Sequence, residues 1–147
     1  MSRARKRLVM QVGTELGKLI AGARAVTNRA AVAFAADAPG LQPAAFHVAR
    51  SLRSSGPARP TELAAELDMD KGALSRLISN LEDAGLVAKR PHPDDGRAIA
   101  VALTHAGEQR LARVLADKGA ELTDRLARFD DDELMTLANL LRRLNEP

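Results

Sequence analysis

The chain has 147 residues, no cysteine, and 22 Lys and Arg against 19 Asp and Glu, for a net charge of +3. This length gives one domain with a real core, and the missing cysteines exclude disulfides, thiolate metal sites and thiol switches. No run of about eighteen apolar residues suggests a membrane span, and no apolar segment with a cleavage site follows the basic N-terminus, so a cytoplasmic protein is expected.

Residues 2–7, Ser-Arg-Ala-Arg-Lys-Arg, form a basic arm. From Leu8 to about Ala36 the sequence is alanine-rich, and Leu16, Leu19, Ile20, Ala23, Ala30, Ala33 and Phe34 make a helical stripe, so a long first helix is expected. Asp37-Ala38-Pro39-Gly40 breaks it. Pro43 suits the first turn of a second helix that turns Phe46, Ala49 and Leu52 inward and ends near Ser54-Ser55-Gly56. Residues 57–59, extended before Pro60, could form a short strand. A third helix runs from Pro60 to Leu67, with Leu63 and Leu67 buried, and Asp68-Met69 turns into the fourth.

The fourth helix has clear punctuation. Asp70 is a good N-cap, Lys71 starts the helix, and Gly85 ends it as a C′ residue. Leu74, Leu77, Ile78 and Leu81 fall at i, i+3, i+4 and i+7, leaving Lys71, Ser75, Arg76 and Ser79 on the free face. The period then changes to alternation. Ile99, Val101 and Leu103 point one way and Ala98, Ala100 and Ala102 the other, as in a half-buried strand whose partner runs from Val87 to Arg90. Pro93, Asp94, Asp95 and Gly96 supply the turn, and Arg97 sits at its tip. Thr104 can cap a fifth helix carrying Leu111, Leu115, Leu122, Leu126 and Phe129, with Gly119 as a potential bend. Asp130 to Glu133 reads as a capping box opening a sixth helix with Leu134, Leu137, Leu140, Leu141 and Leu144.

The expected fold is therefore mainly α, six helices with a small β-wing, in which the third and fourth helices form a winged helix-turn-helix. A polar-faced helix beside a hairpin with a basic tip suits duplex DNA, the helix in a major groove and the tip in a minor groove. The uninterrupted run Asp95-Gly96-Arg97-Ala98-Ile99-Ala100-Val101-Ala102-Leu103-Thr104-His105-Ala106-Gly107 resembles the wing signature of MarR-family (multiple antibiotic resistance) transcriptional regulators, D-x-R-x-x-x-V-x-L-T-x-x-G. Glu62-Leu63-Ala64, the helix from Leu74 to Leu81, and Gly85-Leu86-Val87 fit the same family's positions, so the likeness runs from about Leu41 to Gly107. Gln42 stands where the family usually has Thr, and Ala49 where it usually has Leu.

On this reading residues 1–40 hold the arm and a dimerisation helix, 41–104 the DNA-binding lobe, and 105–147 the C-terminal dimerisation helices. The expected DNA-binding set is Lys71, Ser75, Arg76, Ser79, Lys89, Arg90, Asp95 and Arg97. Arg97 would enter the minor groove, Asp95 would hold its guanidinium, and Lys89 and Arg90 would meet phosphates. Lys and Arg balance Asp and Glu over residues 50–97, eight of each, so binding must rest on where the cations point. The basic arm is either a solvated terminus or a contact with the DNA backbone.

Apolar terminal helices need a second copy to pack on, and a two-fold dimer would present its recognition helices to successive major grooves about 34 Å apart on a pseudo-palindromic operator. The resemblance also implies a repressor released by a small, often aromatic and anionic, effector bound between dimer region and reading lobe. Phe46, His47 and Arg50 border that crevice. His47, His92 and His105 lack metal-ligand spacing, no catalytic constellation can be assembled, and neither cofactor nor enzymatic activity is expected. The alternatives are a winged helix used for protein contacts and a winged-helix repressor of another family.

Overall fold

In chain order the computed structural model, which describes residues 1–147, contains α1 (Arg3–Ala35), α2 (Ala45–Ser55), α3 (Pro60–Glu66), α4 (Lys71–Asp83), β1 (Val87–Pro91), β2 (Ile99–Leu103), α5 (His105–Leu126) and α6 (Asp131–Asn145). No proline precedes Pro39, and strong helix formers let α1 run for 33 residues, about 50 Å at the usual rise. The basic arm is the start of this helix rather than a frayed tail, because the Ser2 side chain accepts from the Arg5 N–H. At the other end Asp37 takes a left-handed conformation (φ 58°) and the chain turns away.

The core lies where the C-terminal end of α1 meets α2, α3, α4, β2 and the first half of α5. Phe34, Phe46, Val48, Leu63, Leu74, Leu81, Val101 and Leu111 are fully enclosed there. Of the stripe expected on α1, Ala30 and Phe34 are buried, while Leu19 and Ile20 are exposed. Leu67 is only half-buried, since it is the C-cap of α3 and not an internal helical position. The N-cap of α2 is Ala44, without a side-chain cap, and Gln42 lies in the turn before it, its carbonyl accepting from the Ala45 N–H (3.0 Å).

Helix α4 follows its sequence signals closely. The Asp70 carboxylate accepts from the Ala73 N–H, and all four residues of the expected stripe are buried. Its exit is a Schellman motif. Gly85 adopts φ 73°, its N–H reaches the Glu82 carbonyl, and the Leu86 N–H reaches the Leu81 carbonyl.

The hairpin pairs Val87 with Leu103 through Pro91 with Ile99, one residue longer on β1 than its sequence suggested. Ala58 adds a single bridge to Val101, all that forms of the expected third strand. The alternating pattern expected for β2 does not hold. Ala100, Val101 and Ala102 are all buried, whereas Ile99 is 60% exposed. Alanine methyls project so little that cross-strand neighbours cover them, and Ile99 lies at the strand's outer end beside the turn.

Gly107, at the start of α5, packs directly against the Leu86 backbone, and the Thr104 hydroxyl donates to the Gly85 carbonyl (2.6 Å) while accepting from the Gly107 N–H. The wing and α5 are thus cinched to the exit of α4. Helix α5 continues unbroken through Gly119. One clasp between distant segments has no counterpart in the sequence patterns: Arg110 donates to the Phe34 and Ala36 carbonyls and sets its guanidinium 5.8 Å from the Phe34 ring centroid. It satisfies carbonyls that the end of α1 leaves without helical partners. Helix α6, opened by the reciprocal Asp130–Glu133 capping box, buries no residue.

Candidate nucleic-acid interface

Helix α4 presents Lys71, Ser75, Arg76 and Ser79 on its exposed face. The wing strand lies alongside, because Lys71, Ser75 and Ser79 line one hollow of about 150 Å³ together with Lys89 of β1 and Thr61 of α3. Recognition helix and wing therefore share a continuous polar surface.

The cations on this surface differ in availability. Lys89 is held 3.5 Å from Glu82 of α4, which partly neutralises it. Lys71, Arg76, Arg90 and Arg97 form no ion pair, so their charge is free to meet an anion.

Asp95 does not hold the Arg97 guanidinium as expected. Its Oδ1 accepts from the Arg97 backbone N–H (3.1 Å), and its Oδ2 faces the Arg59 guanidinium at 3.6 Å. The short Asx geometry claims the carboxylate for the turn and leaves the Arg97 side chain free. Three residues outside the expected set thus reach the wing tip: Arg59 through Asp95, Glu62, and His92, whose Nε2 lies 3.9 Å from Glu62 Oε2. One local signal existed for Arg59. It occupies the N-cap position of α3, where a side-chain acceptor is favoured, so an arginine there is available for use elsewhere.

The expected crevice residues separate. Phe46 is fully buried, edge-on to Phe34 with centroids 6.0 Å apart, so it is a core residue and faces no opening. The Arg50 guanidinium lies 5.9 Å from its ring centroid. His47 alone of the three lines a hollow, about 430 Å³ between α1 and α2, with Arg24, Thr27 and Asn28. Burial, then the positive charges of Arg50 and Lys118, hold the His47 pKa below its ordinary value of 6.5.

A third concavity, about 830 Å³, lies between α1, α5 and α6 and includes Leu19, Leu122, Phe129 and Leu137. Beside it Arg29 Nη2 donates to both oxygens of Glu121, which Arg125 also contacts, and these arginines hold the Glu121 pKa below the usual carboxylate range.

A helix-turn-helix flanked by a hairpin, with unpaired cations on the second helix and on the hairpin, defines a winged-helix DNA-binding protein of the transcription-regulator class. The description "MarR family" fits residues 40–98. The multiple antibiotic resistance protein MarR of Salmonella typhimurium is 37% identical over 103 residues, which span 67% of this chain and 69% of that protein. A MarR-family protein from Bacillus stearothermophilus has a similar structure, with a TM-score of 0.76 at 21% identity over 95% of this chain and 94% of the other. A mutant of MarR from Escherichia coli complexed with operator DNA aligns with a TM-score of 0.56 and 29% identity over 90% and 94% of the two chains. The chain belongs to the MarR family of transcriptional regulators, which are non-enzymatic DNA-binding proteins.

Proposed function

We propose that the protein is a homodimeric repressor that binds a pseudo-palindromic operator and leaves it when a small anionic compound binds. The observation that carries the DNA-binding part is the shared surface of α4 and the wing, where Lys71, Arg76, Arg90 and Arg97 stand without acidic partners. On this reading Arg76 reads a guanine edge, Lys71 and the serines meet phosphate or base, and Arg97 enters the adjacent minor groove.

The dimer is supported by exposed apolar side chains on the terminal helices. Leu122, Leu140 and Leu144 are each more than half exposed, and α6 buries nothing. A second copy packed on α1, α5 and α6 would cover them, making 1–40 and 105–147 the dimerisation regions. The effector reading is supported by the hollow at His47, which Arg24 lines and whose histidine feels the positive charges of Arg50 and Lys118. An anion bound there would act by favouring one spacing of the two reading lobes over another.

The test is an anisotropy titration against a labelled duplex over a salt series. Two subunits bring eight unpaired cations, so log affinity should fall against log salt with a slope of up to about −7. A flat salt dependence, or no binding at low ionic strength, rejects the reading.

A further inference from the structure

The tip of the wing is fixed twice over. Within the loop, the His92 N–H donates to the Ala98 carbonyl (2.8 Å), the Ala98 N–H to the Asp95 carbonyl (3.0 Å), and the Asp94 N–H to His92 Nδ1 (3.1 Å). Outside it, two residues at the start of α3 meet two residues of the loop. Arg59 faces Asp95 at 3.6 Å, and Glu62 faces His92 at 3.9 Å.

These contacts close into a ring, because Glu62 Oε2 also accepts from the Arg59 backbone N–H (2.8 Å). Asp95 divides its two oxygens between Arg59 and the Arg97 amide, so whatever orients the Asp95 carboxylate also orients the backbone of Arg97. One side chain and one nitrogen of this ring are withdrawn from solvent, while Asp95 and Glu62 remain about half exposed. The His92 side chain is only 10% exposed, and Arg59 Nε is buried without a hydrogen-bond partner.

We propose that Arg59, Glu62 and His92 are positioning residues for the wing: they clasp its tip to the first helix of the helix-turn-helix and set where Arg97 stands relative to α4. The inference rests on the DNA-binding reading given above. The Arg59–Asp95 ion pair is weak by itself at a surface, and the His92–Glu62 contact, with His92 Nδ1 serving as an acceptor, is a longer polar one; two carboxylates that each serve two partners order the ring together. A loop ordered before binding loses less conformational freedom when it enters a groove.

Simple charge counting gives the opposite expectation and so makes the test sharp. Removing an acid beside DNA should strengthen binding by lifting repulsion. The clasp requires that Asp95→Asn and Glu62→Gln weaken it, although Glu62→Gln keeps the oxygen that accepts from the Arg59 N–H.

The experiment uses the full chain and a duplex selected by the wild type from a random-sequence pool, together with amide hydrogen exchange at Arg97 and Ala98 without DNA. Arg59→Ala, Asp95→Asn and Glu62→Gln should each weaken binding about two- to fivefold and speed exchange at both amides. Arg59→Ala combined with Asp95→Asn should be no worse than either alone, and Arg59→Lys should restore most of the loss. Acid-removing variants that bind as tightly as wild type or more tightly, or exchange rates that do not change, overturn the clasp. A pool from which the wild type retains nothing overturns the DNA-binding reading instead, and the exchange rates still decide whether the tip is held.

Discussion

Gly107→Ala separates packing from helix propensity. In the first turns of a helix this change ordinarily stabilises by about 0.5–1 kcal/mol, because alanine loses less backbone entropy. Here the added methyl would overlap the Leu86 carbonyl oxygen and stand 3.0 Å from the Leu86 carbonyl carbon and 3.1 Å from Leu103 Cδ2. Backbone cannot swing aside as a flexible side chain can, so α5 must move outward. That movement stretches the hydrogen bond from the Thr104 N–H to the Leu86 carbonyl (3.0 Å) and loosens Leu111, which is fully buried on the same helix. Overpacking costs about 1–3 kcal/mol and the strained hydrogen bond about 1 kcal/mol. After subtracting the propensity gain, the net loss is about 1–3 kcal/mol, or a melting-temperature drop of roughly 2–10 °C for a chain of this size. Thermal and urea melts at one protein concentration measure it. Gly17→Ala is the control, since nothing lies within 4 Å of the added methyl, and it should be neutral or stabilising. A Gly107→Ala protein as stable as wild type would refute the packing argument.

Arg97→Ala should cost about 1–3 kcal/mol of duplex affinity and leave the oligomeric state unchanged; equal affinity in a gel-shift titration removes the wing from the mechanism. Phe34→Ala should lose about 3–5 kcal/mol by urea melt, because its ring is fully enclosed against Phe46; a loss under 1 kcal/mol would mean the site collapses freely. Arg110→Lys should not recover the stability lost in Arg110→Ala, since one ammonium cannot reproduce a guanidinium that serves the Phe34 and Ala36 carbonyls together, and melting curves of the pair decide it. The lowered His47 pKa means that the folded state resists protonation there. Its contribution is present above pH 6.5 and is lost as pH falls through the depressed value, so His47→Gln should flatten the stability curve just below pH 6.5. A curve identical to wild type in that window would show that His47 contributes nothing to it.

The parts of this fold that were legible beforehand are those whose signals are local. Asp70, the Leu74–Leu81 stripe and Gly85 define α4 within sixteen residues, and Asp130 with Glu133 marks the start of α6. Misreadings arose where tertiary context decides burial. Alternation put Ile99 on one face with Val101 and Leu103, with the other face free, but Ile99 at the strand's end is exposed while Val101 and the small alanines of the other face are buried. The same limit applies to the interface. Periodicity exposed Lys71, Ser75, Arg76 and Ser79, yet it could not reveal that Glu82 engages Lys89 or that Arg59 engages Asp95, since those partners are brought together only by folding. The Arg110 clasp is the extreme case, joining residues 74 and 76 positions apart with no pattern between them.

Hydroxyl-radical footprinting of the full-length protein on a duplex selected from a random pool tests the central claim most directly. Two recognition helices flanked by wings should protect two half-sites about one helical turn apart, with minor-groove protection beside each that disappears in Arg97→Ala. A single protected patch, or a cleavage ladder identical with and without protein, would contradict the account.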